Sequence, residues 1–417
     1  MAENVAHTTK AAGLACILRW FPAPSETFIF DEMTALRRLG AHLRLFTLYG
    51  RWRGPLSPDM PPDELPVGRL GTRAIGRMIR DIFFWFKENG REARKLWRTV
   101  PWRRWSDLET AGENLWAFLC GFCIARMVRD GGFSHIHAPW ANGPATAAWV
   151  ASRLTGIPFS FSTWAGDIFP PDGALADKIR DAAFVRSTCR SFMPHLQRQA
   201  REQAGKIHVL YNGQDPARFA PVDARLTPPL KLLTLGRFVR KKGFDVALRA
   251  AARLKAAGLS IQITMAGDGP EGNRLRHLAH SLGLDGEVCF PGFVPRHGTD
   301  ALFRDGDVFL MPSVVDPAGD RDGIPNVVLE ALLHRIPVVA TDVGGIAEVV
   351  RDGDTGRLAP PDHPEAIADA VQAIIADPPA ARAMAERGRQ FVLREFDLDT
   401  NARRLLELIA AHSGAAP

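Results

Sequence analysis

The feature that most constrains this chain is an alternation that runs once, stops and restarts. Short apolar runs rich in Val, Ile, Leu and Phe are each followed by a stretch with helical periodicity. In the first half they fall at residues 14–19, 43–49, 135–137, 159–162, 184–187 and 207–211; in the second, at 231–235, 261–265, 288–290, 308–311, 338–340 and 357–359. Runs this continuously apolar are buried on both faces, which requires parallel strands covered by helices. A Pro- and Asp-rich passage at 213–229 separates the two series. At 417 residues the chain suits two cores of about 200 residues better than one. The expected fold is α/β, with two doubly wound domains facing across a cleft: 1–212, a linker at 213–229, and 230–395. Residues 396–417 are expected to form a last helix that crosses back to the first domain. In such sheets ligands bind at the C-terminal strand edges, so the cleft is the natural site.

Composition narrows the setting. Apolar residues make up 46% of the chain, as in a packed globular protein. The five cysteines (Cys16, Cys120, Cys123, Cys189, Cys289) are odd in number and scattered, so a reducing cytoplasm is expected and no disulfide framework. Cys120 and Cys123 form a C-x-x-C with no second pair, and read as the packed face of a helix. Residues 11–18 are too short for a signal segment and read as the first strand, and no window reaches the ~20 apolar residues of a membrane span. Charge is unevenly placed. Residues 51–105 hold thirteen Arg and Lys against six Asp and Glu, a surplus larger than the +6 of the whole chain, and five of the ten tryptophans. This basic, Trp-rich stretch belongs to a helical insertion at about 51–130 in the first domain. Cations mixed with aromatic wedges suit an anionic membrane surface, on the inner face of the cytoplasmic membrane. The same composition fits a solvated insertion whose aromatics pack on the domain. No recognition motif accompanies the charge, so no nucleic acid partner is expected.

The candidate chemistry concentrates at strand-to-helix turns. In Asp322-Gly323-Ile324-Pro325-Asn326-Val327, Pro325 suits the first helical position, and Ile324 offers no capping acceptor. The amides near Asn326 and Val327 are thereby left for an outside anion, aided by the helix dipole. Glu330 follows among core-facing residues and needs hydroxyl donors, which a ribose supplies. Asp322, on the approach loop, is placed to accept sugar hydroxyls. Gly236-Arg237 through Lys242-Gly243 brings cations to another strand edge, where a pyrophosphate is held by amides and point charges. Gly344 and Gly345 permit close backbone approach at a third turn. Two D-x-D pairs, Asp305/Asp307 and Asp352/Asp354, sit in turns where solvated polar residues are usual, and no metal is expected.

Together these residues resemble glycosyltransferase family 4, retaining enzymes of two Rossmann-like domains (the GT-B fold). The resemblance runs through Ser25-Glu26-Thr27-Phe28, His135-Ile136-His137, Tyr211-Asn212-Gly213, Gly236-Arg237, Lys242-Gly243, Gly267-Asp268-Gly269, Pro291-Gly292-Phe293-Val294, the Asp322–Glu330 segment and Gly344-Gly345. Within the family it is similar to the branch that builds exopolysaccharide or capsule on lipid-linked acceptors. The resemblance implies a nucleotide-diphosphate sugar as donor, a glycan or lipid-linked glycan as acceptor, and no cofactor. It implies Arg237 and Lys242 on the diphosphate, Glu330 on the ribose, the Phe293-Val294 backbone at the base, and Ser25 and Glu26 on the acceptor side. Two departures stand out. The first acid of the E-x7-E pair is Asp322, and Trp164 stands where relatives often carry His. Trp164 then stacks on a sugar, while Asp167 and His137 become candidates for the missing polar role. Two alternatives stay open: a non-catalytic sugar-nucleotide-binding subunit of a glycan-assembly complex, and a nucleotide-sugar epimerase.

Overall fold

The computed structural model describes residues 13–413 apart from 55, 57, 59, 104, 106, 170 and 171. The first half contributes β1 (Leu14–Leu18), β2 (Leu43–Thr47), β3 (Val67–Arg69), β4 (His135–Ala138), β5 (Phe159–Thr163), β6 (Phe184–Ser187) and β7 (Ile207–Val209). The second contributes β8 (Leu230–Leu235), β9 (Ile261–Ala266), β10 (Val288–Gly292), β11 (Val308–Met311), β12 (Val338–Thr341) and β13 (Arg357–Ala359). The sheets run β3-β2-β1-β4-β5-β6-β7 and β10-β9-β8-β11-β12-β13, and every strand pairing is parallel. Every residue of β1, β11 and β12 is buried, which is why these runs read as continuously apolar. The winding direction reverses between β1 and β4, and again between β8 and β11. At those two points neighbouring loops diverge and leave a crevice.

The basic stretch is not one helical insertion. β3 lies inside it and extends the sheet beyond β2 through Leu45, Phe46 and Thr47. Three residues with Gly68 in the middle are too short and too weakly apolar to show a strand period. The helix Leu108–Asp130 belongs to the domain core and packs along Gly143–Thr155. A Cβ on Gly121 would lie 2.6 Å from Val150 Cβ, so the two helices meet at that glycine. Cys120 and Cys123 are fully buried on this helix. The aromatics divide: Trp85 is buried and its Nε1 donates to Phe122 O at 3.0 Å, whereas Phe83 and Trp102 are exposed.

The last helix, Leu398–Ala411, lies on the N-terminal domain. Leu398, Ala402, Leu405 and Ile409 share a buried cluster with Leu14, Phe30, Met33 and Leu36. Burying each large aliphatic residue contributes on the order of 1.5–3 kcal/mol. The 213–229 passage is tied down along its length. Gln214 N donates to Phe396 O at 2.7 Å, Val222 N to His334 O at 2.8 Å, and Arg225 N to Asp307 Oδ1 at 3.0 Å. Glu348 of the C-terminal domain reaches across the cleft, accepting from the Arg190 and Ser191 amides at 2.8 Å each and from Tyr211 Oη at 2.9 Å.

Candidate active site in the interdomain cleft

Between the C-terminal edges of the two sheets lies a cavity of about 440 Å³. Ser25, on the loop after β1, forms its N-terminal wall. Gly236 and Arg237 after β8, Phe293 and Val294 after β10, and Val327 and Glu330 on the helix Asn326–Leu333 form the opposite wall. Seven residues singled out from sequence therefore line one space of ligand size.

The wall that carries Gly236 and Arg237 is built on close backbone contacts. Gly236 N donates to Ala266 O at 3.0 Å, and a Cβ on Gly236 would lie 3.7 Å from Lys242 Cε, so the lysine stem runs over this glycine. Lys242 Nζ is 3.0 Å from Asp322 Oδ2, and Ser313 Oγ donates to the same oxygen at 2.6 Å. The cation and the sugar-side acid, assigned separate roles from sequence, are thus direct partners. Asp322 is buried, and its backbone is held by the turn after β12. Gly344 has φ +60°, and a Cβ there would sit 1.8 Å from Asp322 O. The Gly344-Gly345 turn packs closely on the backbone of the Asp322 loop. Gly344→Ala should therefore destabilise the protein by about 3 kcal/mol or more, from strain plus a backbone clash. Chemical denaturation checks this; a loss under about 1 kcal/mol would show that the turn relaxes freely.

Glu330 is the acid that the sequence reading sets at a ribose. Burial raises its pKa to about 7, with Arg296 lowering it and Asp31 raising it. Arg296 and Thr299 line the cavity beside it, and Arg296 pairs with Asp31 on the N-terminal helix Thr27–Arg38. Sequence reasoning passed over Arg296. A carboxylate expected among apolar residues demands a nearby cation, and this one stands two residues beyond Val294. Pro325 is the residue before the helix (φ −67°, ψ 128°), not its first turn, and no side chain caps the helix start. Asn326 Oδ1 faces the linker, accepting from Asn212 Nδ2 at 3.4 Å and Gln214 Nε2 at 3.3 Å. Gly323 and Ile324 line a smaller space with Trp164 and Phe192, where the two domains meet. A Cβ on Gly323 would lie 2.9 Å from Phe192 Cζ.

On the N-terminal side the candidates separate. Trp164 is half-buried against Phe28 (4.5 Å between ring centres) and Trp140 (5.6 Å), and its Nε1 donates to Pro139 O at 2.8 Å. Asp167 accepts from Ala141 N at 2.6 Å and Trp164 N at 2.8 Å. Its carboxyl is raised to about 7 by burial, against the pull of those two amides. It positions the Trp164 turn. Glu26 precedes the helix Thr27–Arg38 beside Trp140, and burial raises its carboxyl to about 7. His137 is not at the site. It is fully buried in β4, hydrogen-bonded to Ser160 Oγ at 2.8 Å and Ser162 Oγ at 3.2 Å, and desolvation holds it neutral. The alternation along β4 turns this ring into the sheet interior, and the His-x-His pattern gave no sign of which face it takes.

The D-x-D acids have partners of their own. Asp307 accepts from the amides of Arg225 and Lys231 at 3.0 Å each, and Asp354 pairs with Arg387 at 3.0 Å. Among the described residues no three His, Cys, Asp or Glu side chains cluster as a metal site would.

Residues 221–391 match the family model for glycosyl transferases group 1. The chain is 34% identical over 419 residues to WcaL of Salmonella typhimurium, named for glycosyl transfer in colanic acid biosynthesis, covering 93% of this chain and 97% of that protein. The Escherichia coli WcaL match is 37% identical but spans about half of each chain (49% and 51%). Among solved structures, Anabaena HepE in complex with UDP and glucose aligns with a TM-score of 0.70 at 18% identity, over 95% of this chain and 99% of that one. Sucrose-phosphate synthase of Thermosynechococcus elongatus aligns with a TM-score of 0.70 at 20% identity, over 96% and 98%. These likenesses establish the two-domain GT-B fold, and the full-length match establishes the family: the chain belongs to the group 1 glycosyl transferases.

Proposed function

We propose that this protein transfers a hexose-type sugar from a nucleotide-diphosphate sugar to a hydroxyl of a glycan or lipid-linked glycan acceptor, with retained anomeric configuration. One observation carries this reading: Ser25, Arg237, Val294 and Glu330 line a single cleft cavity, with Lys242 over Gly236 behind it. The UDP and glucose named for the Anabaena protein support a nucleotide-sugar donor, and the colanic acid of the Salmonella name supports a polysaccharide precursor as acceptor.

Glu330 accepts the ribose hydroxyls, and Arg237, Lys242 and the uncapped amides at Asn326 take the diphosphate charge. The bond from the sugar's anomeric carbon to phosphate breaks, and the bond to the acceptor oxygen forms on the same face. The acceptor proton passes to the departing phosphate oxygen. No carboxylate nucleophile is needed, which agrees with Asp322 being held by Lys242 and Ser313 and Asp167 by two amides. Side-chain cations neutralise the leaving group in place of a metal, so transfer should persist in excess chelator. Nuclear magnetic resonance of the first product tests the stereochemistry: an α-linked donor should give an α linkage, and a β linkage would overturn retention.

The reading includes a membrane-facing surface. Ile75, Ile79 and Phe83 form one outward stripe of the helix Ile75–Glu88, with Phe83 72% exposed, while Met78 and Trp85 are buried on the adjoining face. Arg77, Arg80 and Lys87 flank the stripe. Such a basic amphipathic helix suits an anionic interface. Among the described residues no helix is long and apolar enough to cross a membrane. Ile79→Ser with Phe83→Ser should weaken sedimentation with phosphatidylglycerol vesicles roughly tenfold or more. Unchanged sedimentation would remove this face from the account.

A further inference from the structure

The loops that leave β1, β2 and β3 enclose a second open cavity, about 840 Å³, apart from the donor cleft. Trp20, Tyr49, Trp52 and Trp116 supply its aromatic wall. Trp20 stacks on Tyr49 at 4.5 Å, Trp52 meets Trp20 edge-on at 5.6 Å, and Tyr49 stacks on Trp116 at 6.2 Å. Trp116 is fixed by its Nε1, which donates to Leu48 O at 2.9 Å. Four rings held against one another cost little further ordering when a ligand lands on them.

The rim is cationic. Arg53 and Arg73 are exposed and, among the described residues, have no carboxylate partner; Arg51 has a 3.6 Å contact with Asp63. Glu113, the acid that bears on Tyr49, is taken up by Arg19 at 2.7 Å. The partly exposed indoles that meet edge-on at Trp20 and Trp52 offer a corner that suits the C–H face of a pyranose, and unneutralised guanidinium groups match a carboxylate or phosphate on it. An acyl chain would gain nothing from the arginines, and a bare anion nothing from the indoles.

Trp20 and Ser25 lie on one loop, Trp20 in this cavity and Ser25 in the donor cleft. Five residue steps span at most ~17 Å. We infer that this cavity holds an acidic sugar of the acceptor, several units back from the growing end that enters the cleft. The ring lies on the Trp20–Trp52 corner and its charge on Arg53 and Arg73. The inference rests on the proposed transfer to a glycan and makes that glycan both oligomeric and acidic.

Intrinsic tryptophan fluorescence can be titrated with tetragalacturonate, with neutral maltotetraose and with phosphatidylglycerol vesicles. Wild type, Trp52→Ala and the double variant Arg53→Glu/Arg73→Glu are compared, and a nucleoside-diphosphate thermal shift in each reports the donor cleft and the fold. Saturable binding of tetragalacturonate at least tenfold tighter than maltotetraose, weakened at least tenfold in both variants with the nucleotide shift kept, is the expected result. Equal binding of the two tetrasaccharides, no binding of either, or variants that lose only vesicle binding would overturn it. A wild type that binds tetragalacturonate but shows no nucleotide shift would count against the donor reading instead.

Discussion

Lys242→Ala is expected to lower kcat by about 10²–10³-fold, the usual loss when one preorganised donor to a developing charge is removed. The geometry gives the reason. Lys242 closes the short helix Arg240–Lys242, directly before Gly243, whose φ of +61° turns the chain into the helix Phe244–Ala256. A Cβ on Gly243 would lie 1.8 Å from Pro312 O, so this corner is clamped against the segment that leads from β11 to Asp322. The ammonium is held at 3.0 Å from Asp322 before any donor arrives, and little reorganisation remains when the phosphate leaves. The same pairing means the variant loses some stability, because Asp322 keeps Ser313 but loses its cation. The discriminating readout is therefore kcat against KM on folded protein: turnover should collapse with KM little changed. A loss under about threefold would remove Lys242 from the transition state.

Glu330→Ala should weaken donor binding about 100-fold or more, since hydrogen bonds to a charged acceptor contribute roughly 1.5–3 kcal/mol each and a ribose offers two. The pH dependence has a definite sign. The folded carboxyl has its pKa raised from 4.5 to about 7, chiefly by burial. Between those values the empty protein binds a proton that the unfolded chain does not, so this group lowers stability as pH rises from about 4.5 to about 7. Ribose hydroxyls donate to the ionised form, so donor affinity should rise with pH through about 7 and level off above it. Glu330→Gln should abolish that inflection while leaving the protein at least as stable as wild type at pH 8. Isothermal titration of a nucleoside diphosphate across pH 5.5–8.5 measures the affinity profile, and chemical denaturation at pH 8 measures the stability. A flat profile in wild type would mean that Glu330 does not meet the ribose.

The parallel sheets were legible because their strands are buried on both faces, and β1, β11 and β12 announce themselves as unbroken apolar runs. The wall of the cleft cavity was legible because glycines and cations recur where strands end, as at Gly236 and Arg237. What escaped notice depended on side-chain direction or on contacts distant in sequence. β3 is three residues long and carries no period. His137 has the right chemistry in the wrong place, because strand alternation turns it inward. The ion pairs Lys242–Asp322 and Arg296–Asp31 join residues 80 or more positions apart. Arg296 came closest to being found, since a buried Glu330 requires a cation. Glu348, which ties the two domains at Arg190 and Ser191, follows the Gly344-Gly345 turn, and its partners lie more than 150 positions away.

The most direct test of the central claim is the structure of the protein with a nucleoside diphosphate bound. The account predicts the ribose hydroxyls on Glu330, the diphosphate on Arg237, Lys242 and the amides at Asn326, and the base against Phe293 and Val294. A nucleotide that leaves the Glu330 carboxylate without a hydroxyl partner, or seats its phosphates away from Arg237 and Lys242, would contradict it.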